Sequence, residues 1–111
     1  MEEKQERKER KKIDDNVIYI GDKPFANYVW ALLTQISDDK QKEVHVIARG
    51  RFISRAVDVV EMAKTRFSSQ GNAIIVKGIE IGSEKFDKKE EDGRERTINV
   101  SVINITVTKS K

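Results

Sequence analysis

Along the chain, apolar positions alternate between a period of two and a period near 3.6. Residues 16–20 (NVIYI) form a β-branched and aromatic run closed by Gly21, which reads as a short buried strand. Phe25, Tyr28, Val29, Leu32, Leu33 and Ile36 then recur at helical spacing behind Pro24, a residue suited to a first helical turn. This predicts an amphipathic helix ending near residues 37–39. Residues 43–48 (EVHVIA) read as a second strand with Val44 and Val46 on one face. After the tight turn Arg49-Gly50-Arg51, helical spacing resumes through Ile53, Ala56, Val57, Val60, Ala63, Lys64 and Phe67. It stops at residues 68–72, where Gly71 can take the left-handed conformation.

Residues 73–81 (AIIVKGIEI) predict a third strand, and Gly78 within it marks a bulge or a close approach by another backbone. Residues 83–95 are charged and lack strand alternation, with Asp92-Gly93 as a turn signal, so they predict a mobile hairpin tip. In residues 96–108, Ile98, Val100 and Val102 share one parity and Ile103, Ile105 and Val107 the other. A strand changes faces only at an irregularity, so a bulge is expected near Val102 and Ile103. The order βαβαββ predicts an α/β (α+β) two-layer sandwich. Two helices lie on one face of a four-stranded mixed sheet from which a long β-hairpin protrudes.

A chain of 111 residues is long enough for one domain. Residues 1–12 are almost all charged and cannot offset their ordering entropy by burial, so they read as a flexible tail on a domain spanning 13–111. Both a solubilising tail and an arm touching nucleic acid fit that composition. Without cysteine there is no disulfide framework, zinc finger or thiol nucleophile. No apolar run approaches the ~20 residues that cross a bilayer, so a soluble cytoplasmic protein with no membrane partner is expected.

Catalytic groups are scarce. His45, the only histidine, lies mid-strand facing away from Val44 and Val46, with no nucleophile beside it. The acids of residues 84–92 are interleaved with lysines and lack the spacing of a calcium loop. No enzyme activity, metal or cofactor is therefore expected. The net charge of +3 is modest, so the placement of the cations matters more than their sum. Lys23 sits at one strand-to-helix turn, and Arg49, Gly50 and Arg51 form another. Arg55 follows Arg51 by four residues on the helix surface. Guanidinium groups bind phosphate with forked bonds, and Gly50 lets the backbone approach a ligand. Both turns follow strand C-terminal ends on one side of the sheet, so one positive patch is expected. With no set of base-reading side chains along one helix, its binding would be salt-sensitive and indifferent to sequence. A helix start with exposed arginines remains the plainer reading of the same residues.

At these positions the chain resembles the Alba family of archaeal chromatin proteins. The resemblance is carried by NVIYIGDKPFANYV (16–29), ARGRFISRAVDVVE (48–61) and Arg66-Phe67, at matching separations, and covers roughly residues 16–108. It implies a homodimer that binds double-stranded DNA and RNA without sequence preference and organises the chromosome in the nucleoid. A paralogue of the family is a further candidate partner. It also implies a nucleic-acid surface containing Lys23, Arg49, Gly50, Arg51 and Arg55, and a hairpin arm that carries Arg94 and Arg96 along the minor groove. The family has two lysines after the first glycine, the first of them a target of acetylation. Here Asp22 replaces that first lysine, so weaker binding than in a two-lysine relative is expected, with Lys23 as the candidate acetylation site. Arg66 and Phe67 match a contact between dimers, although Phe67 could equally close the core stripe of the second helix. An RNA-binding subunit of an RNA-processing ribonucleoprotein is the alternative function.

Overall fold

The computed structural model describes residues 16–38 and 42–110; the predicted tail, residues 1–12, lies outside them. Strand β1 (Val17–Ile20) leads into helix α1 (Phe25–Ser37), and β2 (Val44–Arg49) leads through a 3-10 turn (Gly50–Phe52) into α2 (Ile53–Ser68). The long strands β3 (Ala73–Lys89) and β4 (Glu95–Ser110) complete the chain. The sheet order is β1-β2-β4-β3. Strand β1 is parallel to β2, and β4 runs antiparallel to both β2 and β3. The architecture is the expected α+β sandwich.

The core lies between the helices and one face of the sheet. Leu32 and Ile36 of α1 meet Ala56, Val59, Val60, Ala63 and Phe67 of α2 over Val44, Val46, Ile105 and Val107. The predicted stripe of α2 needs one correction: Val59 is fully buried, whereas Val57 is exposed. Residues 56, 59, 60, 63 and 67 follow the helical repeat, and Val57 lies about 100° around the axis from Ala56. Strand β1 is also less buried than expected. Ile18 and Ile20 point into the core, but Tyr19 is exposed, because β1 is an edge strand and the far sheet face carries no helix.

The hairpin departs from expectation in two ways. First, β4 runs in unbroken register past Val102 and Ile103, where a bulge was expected; the irregularity lies only in β3, between Val76 and Gly78, as Gly78 signalled. Ile74 and Val76 face the helices before this bulge. Lys77 is the extra residue, and Ile79 and Ile81 then pair with Ile105 and Ile103 on that same face. Strand β4 needs no bulge because both its faces are apolar for separate reasons. Ile103, Ile105 and Val107 pack under the helices, while Ile98 pairs with Phe86 and Val100 lies beside Gly50 on the far face. Second, β3 continues to Lys89 through the charged segment read as a loop. Backbone pairing is indifferent to charged side chains when both faces of the ribbon are solvated. The turn falls where Asp92-Gly93 signals it, with the Gly93 N–H donating to the Glu90 carbonyl at 3.0 Å.

Leu32 has no solvent exposure, and Trp30, two residues before it, is largely exposed. Leu32→Ala is expected to cost about 2–5 kcal/mol and Trp30→Ala to stay within about 0.5 kcal/mol, as read by urea denaturation.

Candidate nucleic-acid interface

The turn between β1 and α1 is held by a core residue. The Tyr28 hydroxyl accepts the backbone N–H of Gly21 at 2.9 Å and that of Lys23 at 3.1 Å. A Cβ on Gly21 would lie 3.3 Å from the same oxygen, so a glycine suits this approach. Tyr28 was legible in the sequence as part of the core stripe; its role as the peg of this turn was not. With its backbone fixed, Lys23 presents an exposed side chain beside exposed Asp22.

The second turn is joined to the first. Arg55, near the start of α2, donates from Nη2 to the Lys23 carbonyl at 2.6 Å. Its guanidinium also lies about 6 Å from the ring centroids of Phe25 (6.0 Å) and Tyr28 (5.9 Å). Arg55 thus spends part of its bonding capacity joining the turns, and its Nε is buried without a hydrogen-bond partner, so only the outer guanidinium donors are left for a ligand. Gly50 adopts φ +56°, a left-handed conformation that bends the chain sharply from β2 into α2. Arg51 is exposed, and its guanidinium stacks on the Phe52 ring at 4.4 Å from the centroid. Stacking leaves the in-plane donors of a guanidinium free.

Arg49 has a different environment. Its Nε and Nη2 donate to the two carboxylate oxygens of Glu84 at 2.6 and 3.2 Å. This forked pair holds the Glu84 carboxyl below its ordinary pKa and raises that of Arg49. No sequence signal connects residues 49 and 84; only the sheet register brings them together. Arg94 and Arg96 lie out on the hairpin, also beside acids. Arg94 Nε bonds Asp92 Oδ2 at 2.7 Å, and Arg96 Nη1 bonds Glu90 Oε1 at 3.4 Å. Strand geometry places Arg96 about 20 Å from Val102, the partner of Arg49, at ~3.4 Å per residue. The structure therefore brings Lys23, Arg49, Gly50, Arg51 and Arg55 together at the body of the domain and sets Arg94 and Arg96 apart on an arm.

The remaining candidates fall elsewhere. Phe67 is 3% exposed within the core cluster, so it closes the core of this chain, as the helical stripe allowed. Its neighbour Arg66 is exposed and lines a groove of about 380 Å³ with Trp30, Leu33 and Met62. His45 lies on the far sheet face, with Nδ1 at 3.0 Å from Thr106 Oγ1 and 3.3 Å from Asn104 Oδ1. Among the described residues no three His, Cys, Asp or Glu side chains are grouped to hold a metal ion, and no helix is long and apolar enough to cross a membrane.

The profile of the Alba family matches residues 16–83. The chain belongs to the Alba family. It is 43% identical over 95 residues to the DNA/RNA-binding protein Alba of Methanococcus maripaludis, covering 86% of this chain and 99% of that one. To the DNA/RNA-binding protein Alba of Methanothrix thermoacetophila it is 41% identical over 96 residues, covering 86% and 98%. The structure of Alba from Thermoplasma volcanium superposes with a TM-score of 0.68 at 34% identity, covering 84% of this chain and 99% of that one. The two turns and both helices of this Alba-family chain fall within the matched span, as does β3 up to Ser83, whereas the tip of the arm lies outside it.

The left-handed backbone of Gly50 yields a test of the turn. An alanine Cβ would meet Val100 at an ordinary 3.5 Å, so the cost is conformational rather than steric. Gly50→Ala is expected to destabilise the fold by about 1–2 kcal/mol, measured as a shift in the denaturant midpoint.

Proposed function

We propose that this Alba-family protein binds double-stranded nucleic acid, DNA and RNA, through phosphate contacts and without sequence readout. The observation that carries this reading is the Arg55–Lys23 bond, which joins two cationic turns into one surface. Relatives named DNA/RNA-binding protein Alba supply the ligand class. Lys23 and Arg51 are the primary phosphate ligands, and Arg55 holds the surface together while contributing its outer donors. Arg94 and Arg96 add contacts from the arm once their carboxylate partners yield. Acetylation of Lys23 would remove a cation of the patch that has no ion pair among the described residues. By this reading the protein acts on the chromosome in the nucleoid and compacts it.

The working unit in this reading is a homodimer. Ile79 and Ile81 face the helix side of the sheet but lie beyond the helices, 60% and 81% exposed. Exposed Val57 lies on the flank of α2 opposite the one where Met62 and Arg66 face α1. An apolar strip of this kind suits a second copy of the chain, which would double the cationic surface and match the two-fold symmetry of a duplex backbone. Ile79→Glu combined with Ile81→Glu is expected to shift the protein from dimer to monomer in analytical ultracentrifugation, with an unchanged far-UV circular dichroism spectrum.

Mobility-shift titrations with duplex DNA and duplex RNA across a salt series test the interface. The wild-type protein is expected to bind both, with affinity falling steeply as salt rises. The triple variant Lys23→Ala, Arg49→Ala, Arg51→Ala is expected to stay folded, lose at least about tenfold in affinity and flatten the salt slope by about 0.9 per phosphate contact removed. Unchanged binding by that variant would move the interface elsewhere.

A further inference from the structure

We propose that Glu84 is an internal competitor for the phosphate that Arg49 would bind, so that Arg49 joins the interface only when a polyanion displaces this carboxylate. The inference rests on the nucleic-acid reading above and assigns a regulating residue to that surface.

Three observations carry it. The contact is two-pronged, with Nε at 2.6 Å and Nη2 at 3.2 Å from the two carboxylate oxygens. Two phosphate oxygens would take the same fork, so the carboxylate and a backbone phosphate are alternatives rather than companions. The pair is also within reach of a ligand, with side chains 41% and 43% exposed. An ion pair this exposed is weak enough to exchange. Finally, the pair spans the sheet. Arg49 ends β2, Glu84 lies on β3, and β4 runs between them with Val102 opposite Arg49 and Val100 opposite Glu84. The carboxylate is therefore tethered to the root of the arm and returns when the ligand leaves. Tyr19 flanks Arg49, its ring centroid 5.9 Å from the guanidinium, so the arginine has an apolar face to rest on while its edge changes partners.

Displacement has a chemical consequence. An isolated anion gains little by replacing a tethered carboxylate of equal charge. A duplex that brings Lys23 and Arg51 into contact at the same time supplies the difference, so the pair favours ligands with a dense array of phosphates.

The test compares Glu84→Gln with Glu80→Gln in the full-length protein, after duplex binding by the wild type has been established. Both changes remove one negative charge from the same strand face, but only Glu84 touches Arg49. Glu84→Gln is expected to tighten duplex binding about two- to fivefold per protomer, because the ligand no longer has to displace a carboxylate. Glu80→Gln should change much less, and in an Arg49→Ala background the gain from Glu84→Gln should disappear. Matched thermal unfolding curves confirm that the variants are folded. Equal gains from the two glutamine variants would reduce the effect to overall charge and overturn the proposal. Weaker binding by Glu84→Gln would make Glu84 a positioning residue for Arg49 and overturn it too. A wild-type protein that binds no duplex would instead remove the nucleic-acid reading on which the proposal stands.

Discussion

The cationic surface depends on one hydrogen bond, from the Arg55 guanidinium to the Lys23 carbonyl. Each turn on its own is an ordinary junction between a strand and a helix. Without the bond, two short loops would move independently, and each cation would approach a polyanion separately. With it, the start of α2 is fixed to the turn before α1, and the Tyr28 hydroxyl holds that turn from below. Arg55 thus acts mainly on the placement of its neighbours, although its position in the sequence suggests a direct ligand. Arginine suits this task because its planar, multi-donor head can bond a carbonyl on one side while lying against aromatic rings.

The acids around the surface matter as much as the cations. Arg49, Arg94 and Arg96 are each beside a carboxylate of the hairpin or its turn. Counting positive residues along the sequence therefore overstates what is ready to meet a phosphate. The exposed ion pairs contribute little to stability. They hold long side chains in place and offset part of the positive charge on this side of the molecule.

The sequence specified the fold well wherever one face of an element is buried. The stripe of α1, the alternation of Val44 and Val46 and the turn at Asp92-Gly93 all follow from burial or from turn chemistry. It misled where that constraint is absent. The outer half of β3 is solvated on both sides, so its charged residues carried no strand signal. The parity change in β4 has two separate causes, burial under the helices and a small apolar cluster by Phe86 and Val100, and so did not mark a bulge. The bulge in β3 was legible from Gly78, and the parity change from Ile74 and Val76 to Ile79 and Ile81 agrees with it. At the candidate site, the nearness of the two turns followed from topology. The Glu84 partner of Arg49 did not, because pairing across three strands depends on a register that no local pattern encodes.

The bulge at Lys77 also governs how the arm can change in evolution. It is the point at which the faces of β3 are reset relative to β4. Beyond it, paired insertions or deletions at the tip preserve which side chains point to which face. A change of a single residue between Lys77 and the body would turn Ile79 and Ile81 to the opposite side and bring the glycines and glutamates toward the helices. The arm can therefore lengthen or shorten at its tip without disturbing these faces, while the segment next to the bulge is held to a fixed length.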